Sequence, residues 1–357
     1  MLDTSMILVC AVTLFITALA ITTLRKLAGP LGLIDHPNAR KQHIGSVPLI
    51  GGLSIFIGLS AGVLCYGRFG HFSWMLLGTA ATLAILGALD DRNDLSVRSR
   101  LLVQTVAILI MIATTGIYVH RLGHVLGFEL DLGWAGIPLT VIAVIGLLNA
   151  FNMMDGIDGL AGGLGLMSIG SILLFNSQVG HFQLQGVVVI LTLLAVAILP
   201  FMLANLGMFG RKIFMGDAGS MVLGYLLAWT LIQLSQGSQP TLSSSDVLWC
   251  VALPVFDTFA VMYRRMREGK SPFKPDRGHI HHILMRAGLG PRSALLALLV
   301  LAGGLVFLGN LIHRLGPGVN FIVFSGINVI YTITMARIWN RQADRAAIAT
   351  PAMQRTN

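Results

Sequence analysis

The chain has 357 residues, of which 55% are hydrophobic and only 11% charged, with a mean hydropathy of +0.80. Soluble domains carry about 25% charged residues, so this composition excludes an ordinary soluble fold and indicates a polytopic membrane protein. The net charge of +9 and the pI near 10 would suit a nucleic-acid binder, but the cations are sorted along the chain in a way that argues for membrane orientation and against nucleic acid.

Eleven apolar stretches recur, at residues 5–24, 48–66, 72–89, 101–119, 136–151, 161–176, 187–206, 219–235, 247–263, 294–313 and 319–338. About 20 apolar residues cross a hydrocarbon core of roughly 30 Å as a helix. The fifth and sixth are short, which leaves ten as the alternative count. The expected fold is therefore all-α, a polytopic bundle of about eleven transmembrane helices. Residues 1–340 read as one transmembrane domain and 341–357 as a short cytoplasmic tail. No Lys or Arg precedes the first stretch, Arg25 and Lys26 follow it, and no cleavage site is clear. It reads as an anchor with its N-terminus outside, not as a secretory signal. Cys10, Cys65 and Cys250 lie inside apolar runs without CxxC spacing and read as packing residues.

With that start, alternate loops are cytoplasmic: 25–47, 90–100, 152–160, 207–218, 264–293 and the segment after 338. Counting Arg337 with the last of these, they hold 21 of the 24 Lys and Arg residues, leaving Arg68, Arg121 and Arg314 for the other side. This is the bias of the positive-inside rule. Eleven of the 15 acids fall on the same side, with Asp3, Glu129, Asp131 and Asp246 outside. A basic face attracts anionic substrates and anionic lipid headgroups. No internal repeat is visible, which counts against transporters built from duplicated halves.

The motifs on this face follow in chain order. "DHPNARKQHIGSVPLIGG" brings Arg40, Lys41 and His43. "ALDDRND" places Asp90 and Asp91 side by side; both ionise comfortably only near a cation or an Arg, and Arg92, Arg98 and Arg100 are close in sequence. A salt-bridged helix end is the plain alternative. In "NAFNMMDGIDGLAGG", Asn149, Asn152, Asp155 and Asp158 recur every three residues, a spacing that stacks them along one side of a helix. Gly156 and Gly159 then let the chain leave helical geometry. "FMGDAGS" sets Asp217 at the start of the eighth helix, where free N–H groups and the helix dipole favour an anion. The plain alternative is Asp217 as an N-cap. Asp257, about 10 Å into the ninth helix, is deep enough to be functional or paired. "RRMREGKSPFKPDRGHIHHILMRAG" combines cations with three histidines, of which His279 and His282 lie one turn apart and His281 points elsewhere. Phosphate recognition fits those surroundings better than zinc.

Together, carboxylates without Cys ligands favour a hard cation such as Mg²⁺, and Arg, Lys, His and helix N-termini favour phosphate. The chain lacks GxxxxGK[ST], which argues against an ATPase. The combination suggests phosphoryl transfer to or from a lipid.

These motifs, in this order over nearly the whole chain, resemble the polyprenyl-phosphate N-acetylhexosamine-1-phosphate transferases, and "HIHH" matches the branch that handles GlcNAc 1-phosphate. The resemblance implies a Mg²⁺-dependent transferase, with Mn²⁺ as a substitute, in the bacterial inner membrane with its active site cytoplasmic. It would join UDP-GlcNAc to undecaprenyl phosphate among membrane lipids and begin a lipid-linked surface glycan. It implies Asp217 as principal metal ligand with Asn152 second, and Asp90 and Asp91 as the pair that handles the lipid phosphate. Arg100 is a basic position in the same loop. Asp155 and Asp158 would hold the nucleotide; His279, His281, His282 and Arg265 would gather the diphosphate and sugar, His279 counted as catalytic. Asn149 and Lys41 complete the expected substrate-binding set. The same reaction with another UDP-N-acetylhexosamine, a cation-coupled transporter, and a homodimer all stay open.

Overall fold

A backbone in hydrocarbon has no water to bond, so apolar runs of this length close their hydrogen bonds within helices. The computed structural model describes residues 4–36, 45–125, 128–177, 186–208, 210–271, 276 and 278–353. Its helices are α1 (Thr4–Leu31), α2 (Gly51–Tyr66), α3 (His71–Asn93), α4 (Val97–Thr115), α5 (Gly136–Met154), α6 (Leu160–Ser177) and α7 (Gly186–Asn205). They continue as α8 (Gly216–Gln236), α9 (Ser244–Cys250), α10 (Ala252–Arg267), α11 (Ile280–Arg286), α12 (Pro291–His313) and α13 (Pro317–Met353). Two short antiparallel pairs accompany them, β1 (Ile34–Asp35) with β2 (Val47–Pro48) and β3 (Arg121–Val125) with β4 (Phe128–Asp131).

Among the described residues, nine helices are long and apolar enough to cross a membrane, and α9 with α10 would make a tenth. The apolar α2, 16 residues long, covers the second stretch. Every apolar stretch of the sequence thus falls on a helix, as a multi-pass membrane protein requires. The ninth stretch is not one straight rod, because α9 and α10 meet at 83°. Pro254, in the first turn of α10, has no N–H to return to the Cys250 carbonyl, and Val251 leaves helical geometry between them (φ −131°).

The middle of the bundle is α8, whose spanning window is 89% buried. It packs against α3 and α5. Gly87 of α3 lies against the backbone of Ala218, so any side chain there would collide with it. That close approach carries the end of α3, one turn further on, up to the start of α8.

The connections segregate to two ends of the bundle. At one end the Leu49–Phe214 bridge ties the β1–β2 pair to the segment before α8. At the other, the N–H groups of His120 and Arg121 both donate to Gln236 Oε1, at 3.2 and 3.0 Å, and His313 Nδ1 lies 3.0 Å from the buried Asp246 carboxylate.

Candidate active site

At the first end, α3 stops where Asp94 adopts a left-handed conformation (φ 52°). Ser96 then caps α4, accepting from the Ser99 N–H. The turn brings Arg100 back onto α3. Asp90 is buried, with Oδ2 accepting from Arg100 Nη1 at 2.7 Å and Oδ1 from the Leu95 N–H at 2.8 Å. Arg100 also stands 3.6 Å from Asp217 Oδ2.

Asp91 does something the sequence reading did not foresee. Its Oδ1 accepts from the Asp217 N–H at 2.9 Å, and its Oδ2 from the Ala218 N–H at 3.4 Å. The N-cap residue of α8, Met215, makes no side-chain cap, so a carboxylate from α3 supplies it. The helix start expected to receive a phosphate therefore has two of its free donors engaged by Asp91. Asp217 lies in the first turn and is not the N-cap.

Asn152 completes this corner from α5. Its Nδ2 donates to Asp217 Oδ1 at 2.7 Å and to Ser220 Oγ at 3.1 Å, which orients the carboxylate and leaves the amide oxygen for another ligand. The three-residue spacing is helical only in part. α5 ends at Met154, so Asn149 and Asn152 are on the helix while Asp155 and Asp158 lie in the following turn, because Gly156 and Gly159 interrupt the run. Asn149 donates to its own helix, at Ile145 O. Asp158 pairs with Lys212. Burial lifts the Asp155 carboxyl to about 7, with the charges of Asp217 and Asp158 adding to the effect.

One residue of this corner escaped the sequence reading. Buried Asn205, at the end of α7, accepts from the Gly159 N–H at 2.6 Å and donates to Ile213 O at 2.8 Å. It joins the 155–159 turn to the segment leading into α8. Gly159 needs its missing Cβ there, at φ +83°. The only available signal was an Asn closing an apolar run, since a buried amide must find partners.

The second corner is built from α10, α11 and α13. Asp257, 1% exposed, accepts from His279 Nδ1 at 2.6 Å and from the Ile280 N–H at 2.9 Å. It thereby caps α11, whose own N-cap residue His279 makes no side-chain cap. His281 does not point away from its neighbours. Its ring lies parallel to His279 with centroids 6.0 Å apart, and 4.1 Å from His282. It also lies against Gly156, where a Cβ would strike the imidazole, so the two corners touch. Burial, with His282 and His279 nearby, pulls the His281 pKa down to about 3 and keeps the ring neutral.

Arg265, expected at the diphosphate, is buried in its own loop. Its Nε donates to Ser271 O and its Nη1 to Asp276 Oδ2, both at 2.6 Å. Arg264 donates to Asp276 Oδ1 at 2.5 Å and to Gly278 O at 3.2 Å. Burial alone would raise the Asp276 carboxyl, but Arg265 and Arg264 hold it below the usual carboxylate range. Lys41, with Arg40 and His43, lies outside the described residues.

The structure thus brings Asp90, Asp91, Arg100, Asn152 and Asp217 together, with Asp155 and Asp158 beside them and the three histidines across Gly156. The first corner offers oxygen ligands only, the chemistry of a hard cation. No three His, Cys, Asp or Glu side chains converge to cage a metal among the described residues. Mg²⁺ is usually held by one or two carboxylates plus substrate phosphates.

Residues 73–235 match the model of glycosyl transferase family 4. The undecaprenyl-phosphate alpha-N-acetylglucosaminyl 1-phosphate transferase of Yersinia pestis is 42% identical over 88% of this chain and 87% of its own length. The proteins of that name from Escherichia coli O157:H7 and Haemophilus influenzae are each 39% identical over 90% of this chain, and over 89% and 91% of their own lengths.

Proposed function

This chain belongs to glycosyl transferase family 4, and from that premise we propose that it transfers N-acetylglucosamine 1-phosphate from UDP-GlcNAc to undecaprenyl phosphate. The products are undecaprenyl-diphospho-GlcNAc and UMP, and the step begins a lipid-linked surface polysaccharide, O-antigen or a related glycan. The observation that carries the reading is the meeting of Asp217, Asn152, Arg100 and the Asp90–Asp91 pair from four separate helices at one end of the bundle. The positive-inside rule supports a cytoplasmic place for that end, since the sequence puts 21 of its 24 Lys and Arg residues in the loops of one side.

A phosphate monoester has a second pKa of about 6, so the lipid phosphate is mostly dianionic at neutral pH. It needs little help from a base. The larger barrier is the approach of this anion to a sugar diphosphate that is also negative. Asp217 and the amide oxygen of Asn152 would hold Mg²⁺. When bound, the ion neutralises phosphate charge and aligns the displacement. Arg100, already beside Asp90 and Asp217, receives the lipid phosphate. An oxygen of that phosphate attacks the β-phosphorus, the bond to the bridging oxygen breaks, and UMP leaves with the electron pair.

Asp90 and Asp91 have their oxygens engaged by Arg100, the Leu95 N–H and the start of α8. Their part is to fix Arg100 and Asp217 in place. Asp155 and Asp158 hold the nucleotide side, and His279, His281 and His282 the sugar and diphosphate side. The test is purified protein with undecaprenyl phosphate, Mg²⁺ and a panel of UDP-sugars. UDP-GlcNAc should give UMP and lipid-linked GlcNAc, and chelation of the metal should stop both. Preference for another UDP-N-acetylhexosamine would overturn the donor, and inactivity with every UDP-sugar would overturn the reaction.

A further inference from the structure

Helix α13 is longer than a membrane crossing needs: 37 residues, where about 20 suffice. Trp339 lies beyond those 20. A tryptophan at such a place ordinarily belongs to the aromatic belt and faces headgroups. This one faces two cations. The guanidinium carbons of Arg264 and Arg286 stand 4.2 and 4.3 Å from its ring centre, well within cation–π range.

The two arginines flank α11. Arg264, from the end of α10, holds Gly278 O and Asp276 just before the helix begins. Arg286 is the last residue of α11 itself. One turn beyond Trp339, Gln342 Nε2 donates to Ile283 O in the middle of that helix, at 3.1 Å. At seven residues, α11 is too short to hold itself together. Asp257 fixes its start, and the end of α13 fixes the rest.

We propose that Trp339 is a positioning residue: its indole, shared between Arg264 and Arg286, clamps α11 so that His279, His281 and His282 stand where the UDP-sugar binds. The clamp itself rests on geometry alone; its effect on donor binding rests on the function proposed above. The C-terminal extension of α13 is thus part of the donor site without touching the donor.

The test uses full-length protein carrying Trp339→Ala or Trp339→Phe, with Arg286→Gln as a milder second probe should the alanine variant not extract as a monodisperse species. The first readout, peptide mass spectrometry after diethylpyrocarbonate treatment, does not depend on the reaction. His281 is 1% exposed and should resist modification in the parent protein. Loosening the clamp should raise its modification rate roughly tenfold in Trp339→Ala, the scale two such contacts supply, and leave Trp339→Phe close to the parent.

The second readout is steady-state kinetics. The KM for UDP-GlcNAc should rise by about tenfold in Trp339→Ala, with the KM for undecaprenyl phosphate unchanged and the phenylalanine variant restored. Unchanged His281 reactivity would overturn the clamp. Exposure of His281 without a change in donor KM, or an equal rise in both KM values, would overturn its link to the donor. Should the parent protein fail to use UDP-GlcNAc, the proposed reaction falls, while the modification experiment still decides the clamp.

Discussion

The two corners of the site use one device for opposite ends. In each, a carboxylate from a neighbouring helix caps a helix that lacks a cap of its own: Asp91 of α3 caps α8, and Asp257 of α10 caps α11. Around Asp257 the charge is closed. His279 and a backbone N–H take its oxygens, and nearby Asp276 is bracketed by Arg264 and Arg265. Around Asp91 it is left open. Asp90, Asp91, Asp155 and Asp217 lie near one another, Arg100 reaches Asp90 and Asp217, and Asp217 keeps 33% of its side chain exposed. A carboxylate whose oxygens are already taken frames the side chains around it, as Asp257 does for the histidines. The cluster around Asp217 keeps an exposed carboxylate for a ligand, which is why the metal chemistry is assigned to the acid corner.

The largest effect should come from the open corner. Asp217→Asn keeps the shape but removes the charge that would hold a metal, and kcat should fall by about a thousandfold or more, since a metal contributes several kcal/mol of transition-state stabilisation. Turnover of UDP-GlcNAc measures it. Near-parental activity would place Asp217 with the framing residues and erase the contrast.

Asp91→Asn should cost less. An amide oxygen can still accept from the start of α8, and losing a cap altogether is worth about 0.5–2 kcal/mol. The expected order is parent, then Asp91→Asn, then Asp91→Ala, with Asp217→Asn lowest. Equal losses in Asp91→Asn and Asp217→Asn would give Asp91 a chemical role beyond capping.

The smallest effect belongs to the closed corner. His281 is held neutral, with its pKa near 3, so His281→Gln should shift the size of kcat/KM but not its shape between about pH 5.5 and 8. In the unfolded chain the ring takes up a proton near pH 6.5. Its contribution to stability is therefore full above that pH and is lost as pH falls towards 3. Thermal melting of the parent should accordingly decline faster on acidification than that of the Gln variant. An inflection in kcat/KM between about pH 5.5 and 8 that vanishes in the variant would show that His281 titrates in the working range.

Much of this was legible in the sequence, for a physical reason. Membrane helices declare themselves by length and hydropathy, and each of the eleven stretches fell on helix, the ninth broken into α9 and α10. Idle charge near hydrocarbon is costly, so Asp90, Asp91, Asn152 and Asp217 stood out, and they meet. What the sequence concealed depends on partners distant along the chain. Asp91 looked like a partner for Arg92, Arg98 or Arg100, or for the lipid phosphate, because the N–H groups it does meet, those of Asp217 and Ala218, lie 126 and 127 positions on. Arg265 looked available for phosphate, but Asp276 and Ser271 O had it already. The bend at Val251 was hidden inside a continuous apolar run, with Pro254 its one visible sign. Trp339 gave no warning, and Asn205 only that of an Asn closing an apolar run, because each acts through what it touches.

The central claim is that the lipid phosphate attacks the donor directly, with Asp90 and Asp91 fixed as framing groups. Were either a covalent nucleophile, it would accept GlcNAc phosphate and release UMP before any lipid arrived. The deciding measurement is exchange of labelled UMP into UDP-GlcNAc by purified protein stripped of polyprenyl phosphate. The account predicts no exchange until undecaprenyl phosphate is restored, because only the lipid-linked product returns GlcNAc phosphate to UMP. Exchange without lipid at a rate comparable to turnover, abolished by Asp90→Asn or Asp91→Asn, would contradict it.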